Sequence, residues 1–134
     1  MTIGLLLITH DAVGATLVET ATAVVGSRPL PTEVVAVHAD SDPDELFAEA
    51  RRRIAALNGQ DEGVLVLTDL YGSTPSNVAC RLADEMHVMV VAGVNLPMLV
   101  RVMNYPGLSL EQLASKAVSG GSDGVFQCRS EDGI

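Results

Sequence analysis

Residues 4–17 read GLLLITHDAVGATL. An unbroken apolar run from Ile3 stops at Thr9-His10-Asp11, with no polar alternation inside it. That predicts a strand buried on both faces over Ile3–Thr9. Val13, Leu17, Ala21 and Val24 then recur at helical spacing, predicting a helix over Ala12–Val25. A histidine therefore stands where a buried strand hands over to a helix.

The same alternation continues along the chain. Glu33–His38 (EVVAVH) reads as a second strand. Asp42 as N-cap, Pro43 at the first helical position and Glu45 at the third open a helix. Its apolar face is Leu46, Ala50, Ile54 and Leu57, and Asn58-Gly59 ends it. Gly63–Thr68 is a third strand. Thr74-Pro75 reads as an N-cap followed by proline, with Val78, Leu82 and Met86 along the next helix. His87–Ala92 is a fourth strand, and GVNLPML leads into a helix through about Met103. Ser109 and Gln112 frame a capping box before the stripe Leu110, Leu113, Ala114, Ala117 and Val118. After a flexible SGGSDG stretch, Gly124–Cys128 reads as a short fifth strand.

Four βα units imply an α/β fold: a doubly wound, mainly parallel four-stranded sheet with helices on both faces and a short C-terminal edge strand. With 134 residues, the chain is read as a single domain over 1–128, with 129–134 a frayed tail. Aromatics are 3% of a chain that is 48% hydrophobic, so the core is aliphatic. A formal net charge of −9 with one lysine, Lys116, argues against nucleic acid or an anionic membrane, which need a basic footprint. Cys80 and Cys128 are far apart without CxxC spacing and read as buried thiols in a reducing compartment. The longest N-terminal apolar stretch, Ile3–Ile8, is far below the ~20 residues of a membrane span and has no basic leader. The expected location is the cytoplasm.

In sheets of this class the ligand site lies beyond the carboxyl ends of the strands, near the point where strand order reverses. That rule selects His10 after the first strand and Asp69 after the third. A carboxylate that accepts one ring N–H fixes the imidazole tautomer and leaves the other nitrogen free to attack. Ser73 and Thr74 lead into a helix whose first N–H groups suit phosphoryl oxygens. A nucleophilic imidazole beside such helix starts points to a histidine that is phosphorylated. Taken alone, a histidine at a strand end is more often a surface or hydrogen-bonded residue than a catalyst. His38 reads as half-exposed packing, His87 as solvated at the opposite sheet end, and Arg51-Arg52-Arg53 as a solvated helix face or a hold for an acidic loop. No GxxxxGK[ST], GxGxxG or GxSxG occurs, which argues against a nucleotide P-loop, a dinucleotide site and an α/β-hydrolase. A receiver domain wants an acidic pair after the first strand and a lysine after the fifth, and neither is present.

TIGLLLITHDAVGATLVETA (2–21), GVLVLTDLYGSTPSNVA (63–79) and VVAGVNLPMLV (90–100) together resemble the mannose-family IIA component of the bacterial phosphoenolpyruvate-dependent sugar phosphotransferase system. The combination is specific: T-H at the first strand end, D-x-x-G-x-[ST]-P-x-N after the third, A-G-x-N-x-P-M after the fourth. The resemblance implies that His10 is phosphorylated, that Asp69 orients it, and that Gly72, Ser73 and Thr74 lie near the phosphoryl group. It implies HPr as donor, a IIB component as acceptor, and transport or regulation as the purpose, with no metal or other cofactor. It also implies a homodimer, not embedded in a membrane though able to dock on a permease complex. The expectation is that no IIB domain is fused to the chain. The family's loop usually carries two glycines where Gly72-Ser73 stands here; a left-handed serine would cost roughly 1 kcal/mol. Two other readings stay open. One is the related phosphocarrier subunit of dihydroxyacetone kinase. The other is a metal-dependent hydrolase using His10, Asp11, His38, Asp40 and Asp69, for which no recognised ligand spacing speaks.

Overall fold

A computed structural model describes residues 2–58, 62–85 and 87–132 of the chain. Among the described residues the order is β1 (Gly4–His10), α1 (Val13–Val25), β2 (Thr32–Val37), α2 (Pro43–Asn58), β3 (Val64–Thr68), α3 (Thr74–Ala83), β4 (Val88–Ala92), α4 (Leu96–Met103) and α5 (Leu110–Asp123), with a 3-10 turn at Ser130–Asp132. The strands form one parallel sheet in the order β2-β1-β3-β4. The chain therefore winds outward from β1 to β2, then returns to the other side of β1 for β3.

Alternation along the strands divides the core in two. Leu5, Leu7, Leu65 and Leu67 face α1, α4 and α5, packing on Val18, Leu99 and Leu113. Leu6, Ile8, Val64 and Val66 face α2 and α3, packing on Ile54, Val78 and Leu82. This is the doubly wound arrangement expected, and it explains why β1 and β3 have no polar alternation: both of their faces are buried.

Several helices sit differently from the sequence reading. In α1 the buried line is Gly14, Val18 and Ala21, whereas Val13 and Val24 are exposed. Gly14 sets this rotation: a Cβ there would lie 2.6 Å from Thr9 Oγ1, so the missing side chain lets the helix rest on the strand end. In α5 the capping box of Ser109 and Gln112 is present, but Val118 faces out. Cys80 and Cys128 are both exposed, not buried. Cys80 falls off the buried α3 positions Pro75, Ser76, Val78, Ala79 and Leu82. The helix stop at Gly59 and the apolar position Met86 lie outside the described residues.

The fifth strand is not formed within the chain. The stretch read as flexible continues α5 to Asp123, because its glycines let that helix approach α4 closely: a Cβ on Gly120 would lie 2.6 Å from Arg101 Cβ. Residues 125–129 follow without regular structure, with Val125 and Phe126 exposed, and β4 remains an edge strand. Among the described residues no helix is long and apolar enough to cross a membrane.

Candidate functional site

His10 ends β1, and Asp69 follows β3, its immediate neighbour. The order β2-β1-β3-β4 makes this the switch point of the sheet, where the flanking connections part to opposite sides and leave a crevice. The two residues meet there. Asp69 Oδ2 accepts the ring Nδ1–H of His10 at 2.9 Å and the backbone N–H of His10 at 3.0 Å. Since a carboxylate oxygen only accepts, the proton of the neutral ring lies on Nδ1 and Nε2 keeps its lone pair. The His10 side chain is 43% exposed and that of Asp69 is 16% exposed. The imidazole is thus reachable while its carboxylate partner is sheltered.

The charge on Asp69 is held by this geometry. Burial pushes its carboxyl up, but the backbone N–H of His10, the ring N–H and the imidazole's charge together outweigh it and hold Asp69 below the ordinary 3.8. Its other oxygen, Oδ1, is buried with no hydrogen-bond partner in the structure, as is Thr68 Oγ1 beside it.

The turn that carries His10 is fixed from both sides. Thr9 Oγ1 accepts the N–H of Gly14 at 2.8 Å, satisfying one free donor at the start of α1. The sequence places Thr9 in the T-H pair at the strand end but assigns it no role of its own; the signal for that role is a hydroxyl five residues before a glycine in the following helix. Asp11 donates its N–H to Val37 O and takes φ 41°, a left-handed backbone that asparagine and aspartate tolerate better than most residues.

The loop after β3 forms the opposite wall. A turn runs from Leu70 to Ser73, closed by Ser73 N–H to Leu70 O at 3.3 Å, and Gly72 takes φ 87° at its third position. A type II turn demands a left-handed residue there, which glycine supplies without strain. Ser73 has φ −93°, so the serine in place of a second glycine is unstrained. Ser73, one residue earlier than read from the sequence, is the N-cap of α3; its Oγ bonds Leu70 O and leaves the helix start uncapped by a side chain. Thr74 is exposed as the first residue of α3, ahead of Pro75. Neither α1 nor α3 carries an acidic residue in its first turn, although Asp11 stands just before the N-cap of α1. By contrast, α2 begins with Asp44 and Glu45.

His38 lies after β2 on the same sheet edge but is exposed rather than packed, its Nδ1 2.8 Å from Asp11 Oδ1. His87 precedes β4 at the far end of the sheet and is exposed. Among the described residues no three His, Cys, Asp or Glu side chains gather as a metal site would require, so the five residues of the hydrolase reading do not assemble. In the arginine run, Arg53 bonds Glu33 at 2.6 Å and Arg51 approaches Glu85 at 3.9 Å.

Comparison with known proteins identifies the family. Residues 4–118 match the family model EIIA-man, described as PTS system fructose IIA component. The chain belongs to the EIIA-man family. That family is the one of IIA components of the phosphotransferase system. The chain is 32% identical over 128 residues to the PTS system mannose-specific EIIAB component of Escherichia coli (strain K12), covering 93% of this chain and 39% of that protein. The chain thus spans about two fifths of the length of that curated relative. Among solved structures, the fold matches the mannose/sorbose specific IIA subunit from Enterococcus faecalis with a TM-score of 0.86 at 24% identity, covering 96% of each chain. It also matches the PTS IIA protein associated with the fucose utilization operon of Streptococcus pneumoniae, with a TM-score of 0.78 at 24% identity over 95% of this chain and 93% of that one.

Proposed function

We propose that this EIIA-man protein accepts a phosphoryl group on Nε2 of His10 from a phosphohistidine carrier of the HPr type and passes it to a IIB component, in sugar uptake or its regulation. The observation that carries the reading is the convergence of both His10 N–H groups on one oxygen of Asp69, which leaves Nε2 its lone pair on a ring that is 43% exposed. In the transfer, the Nε2 lone pair forms the new P–N bond as the P–N bond of the donor breaks. The donor imidazole departs with the electron pair, and the Nδ1 proton of His10 stays against Asp69. The phosphorylated ring is more electron-poor, and the Asp69 carboxylate steadies it.

The 72–74 turn and the start of α3 are the proposed cradle for the phosphoryl oxygens. The N–H groups of Thr74 and Ser76 have no partner within their own helix by helix geometry, and the Thr74 hydroxyl is exposed beside them. No cofactor enters this reading, since the donor brings an activated phosphoryl group. We further propose a cytoplasmic homodimer in which residues 124–128 cross to the partner; the exposed Val125 and Phe126 and the open edge of β4 support it.

The test is intact-mass measurement after incubation with phosphoenolpyruvate, enzyme I and HPr. One acid-labile phosphate is expected on the parent and none on His10→Ala. Undiminished labelling of His10→Ala refutes the reading.

A further inference from the structure

A second carboxylate–imidazole pair stands directly beside the first. Asp11 follows His10 in the chain, and His38 follows β2, the strand on the other side of β1. His38 Nδ1–H donates to Asp11 Oδ1 at 2.8 Å, with the two side chains 59% and 73% exposed. The main chain of Asp11 is tied in the same direction by its N–H bond to Val37 O at 2.9 Å. His38 itself is anchored through its N–H to Ser41 Oγ at 2.9 Å. The register His10↔Val37 puts the Cα atoms of His10 and His38 about 6 Å apart, from the ordinary strand spacing and rise.

Asp11 is an awkward neighbour for a phosphoryl acceptor. A phosphoryl group on His10 brings close to two negative charges, and an exposed carboxylate on the next residue opposes them. The nearby cations of α2 do not answer it: Arg53 is engaged with Glu33 and Glu49, and Arg51 with Glu85. Arg52 borders the cleft between β2 and α2 that Asp42 and Glu45 share. Among the described residues His38 is the one side chain bonded to the Asp11 carboxylate.

We propose that His38 is a positioning residue acting through Asp11: it holds the Asp11 carboxylate toward β2 and away from the phosphoryl group at His10. The inference rests on the reading that His10 carries the phosphoryl group. Without His38, the Asp11 carboxylate is free to swing toward His10 and repel both the incoming donor and the phosphorylated product.

The experiment is a four-member cycle: parent, His38→Ala, Asp11→Asn and the double variant. Each is phosphorylated by purified phospho-HPr in rapid-quench mode, with the label located by peptide mass spectrometry and folding checked by circular dichroism. His38→Ala is expected to be about twofold slower at low salt, the scale of moving one charge from about 12 Å to about 8 Å from a dianion in a water-like dielectric. The deficit should shrink at about 1 M salt, where the screening length falls to about 3 Å. Asp11→Asn should be at least as fast as the parent, and the double variant should recover the parent rate, because the carboxylate that His38 restrains is then uncharged. A purely structural His38 gives neither the recovery nor the salt dependence. Equal rates for parent and His38→Ala, or a double variant as slow as His38→Ala, overturn the inference while label on His10 leaves the functional reading intact. Label found elsewhere than on His10 overturns both.

Discussion

Replacing Asp69 with asparagine isolates the interaction on which the proposed chemistry depends. The shape is conserved, and two N–H groups of His10, at 2.9 and 3.0 Å, still point at one atom. If the amide oxygen takes the place of Oδ2, both bonds survive in neutral form, and the amide nitrogen replaces Oδ1, which is buried without a partner. A charge-assisted hydrogen bond contributes roughly 1.5–3 kcal/mol against about 1 kcal/mol for a neutral one, and an unsatisfied buried donor costs about 1–3 kcal/mol more. If the amide turns the other way, its N–H faces Nδ1. The ring must then shift its proton to Nε2, which removes the attacking lone pair. Loss of the charge alone is worth about 1–1.5 kcal/mol, or about tenfold in rate, and the tautomer change carries the effect toward about a hundredfold. The assay is rapid-quench phosphorylation by phospho-HPr, with melting temperature measured in parallel. A rate within about twofold of the parent in a fully folded variant would refute the orienting role, as would an acyl phosphate on Asp69 itself.

Asp69 also links stability to pH. Its carboxyl lies below the ordinary 3.8 in the folded chain, so its contribution is present above 3.8 and lost as the pH falls through the lower folded value. The melting-temperature gap between parent and Asp69→Asn should therefore narrow below pH 3.8, and a gap that widens there contradicts the assignment. Gly120→Ala forces a Cβ to within 2.6 Å of Arg101 Cβ. The overpacking of about 1–3 kcal/mol exceeds the helix-propensity gain of about 1 kcal/mol, so thermal melting should fall by a few degrees. Deleting residues 124–134 should weaken dimerisation measured by light scattering. A monomeric parent at micromolar concentration defeats the dimer, and a truncated dimer of unchanged affinity removes the segment from its interface.

The class of fold and the address of the candidate site were legible in the sequence for a local reason. Leu5–Ile8 and Val64–Leu67 are apolar without alternation, which only a strand covered on both faces requires, and each run ends in a polar residue at a loop. His10 and Asp69 are such ends, so topology rules alone bring them to one edge. Ser109 and Gln112 likewise announced their helix start because both halves of a capping box are local in sequence. Tertiary structure decided whatever depends on contact between distant segments. The seat of α1 on Thr9 rotates Val13 and Val24 outward, and the approach of Gly120 to Arg101 turns an apparently flexible stretch into the end of α5. The turn from Leu70 to Ser73 puts the left-handed residue at Gly72 and leaves Ser73 relaxed. Asp11 and His38, 27 residues apart, are paired because β1 and β2 are neighbours in register. Periodicity reports which side of an element is buried on average. It carries no distance between one element and the next, and those distances make the pairs at this sheet edge.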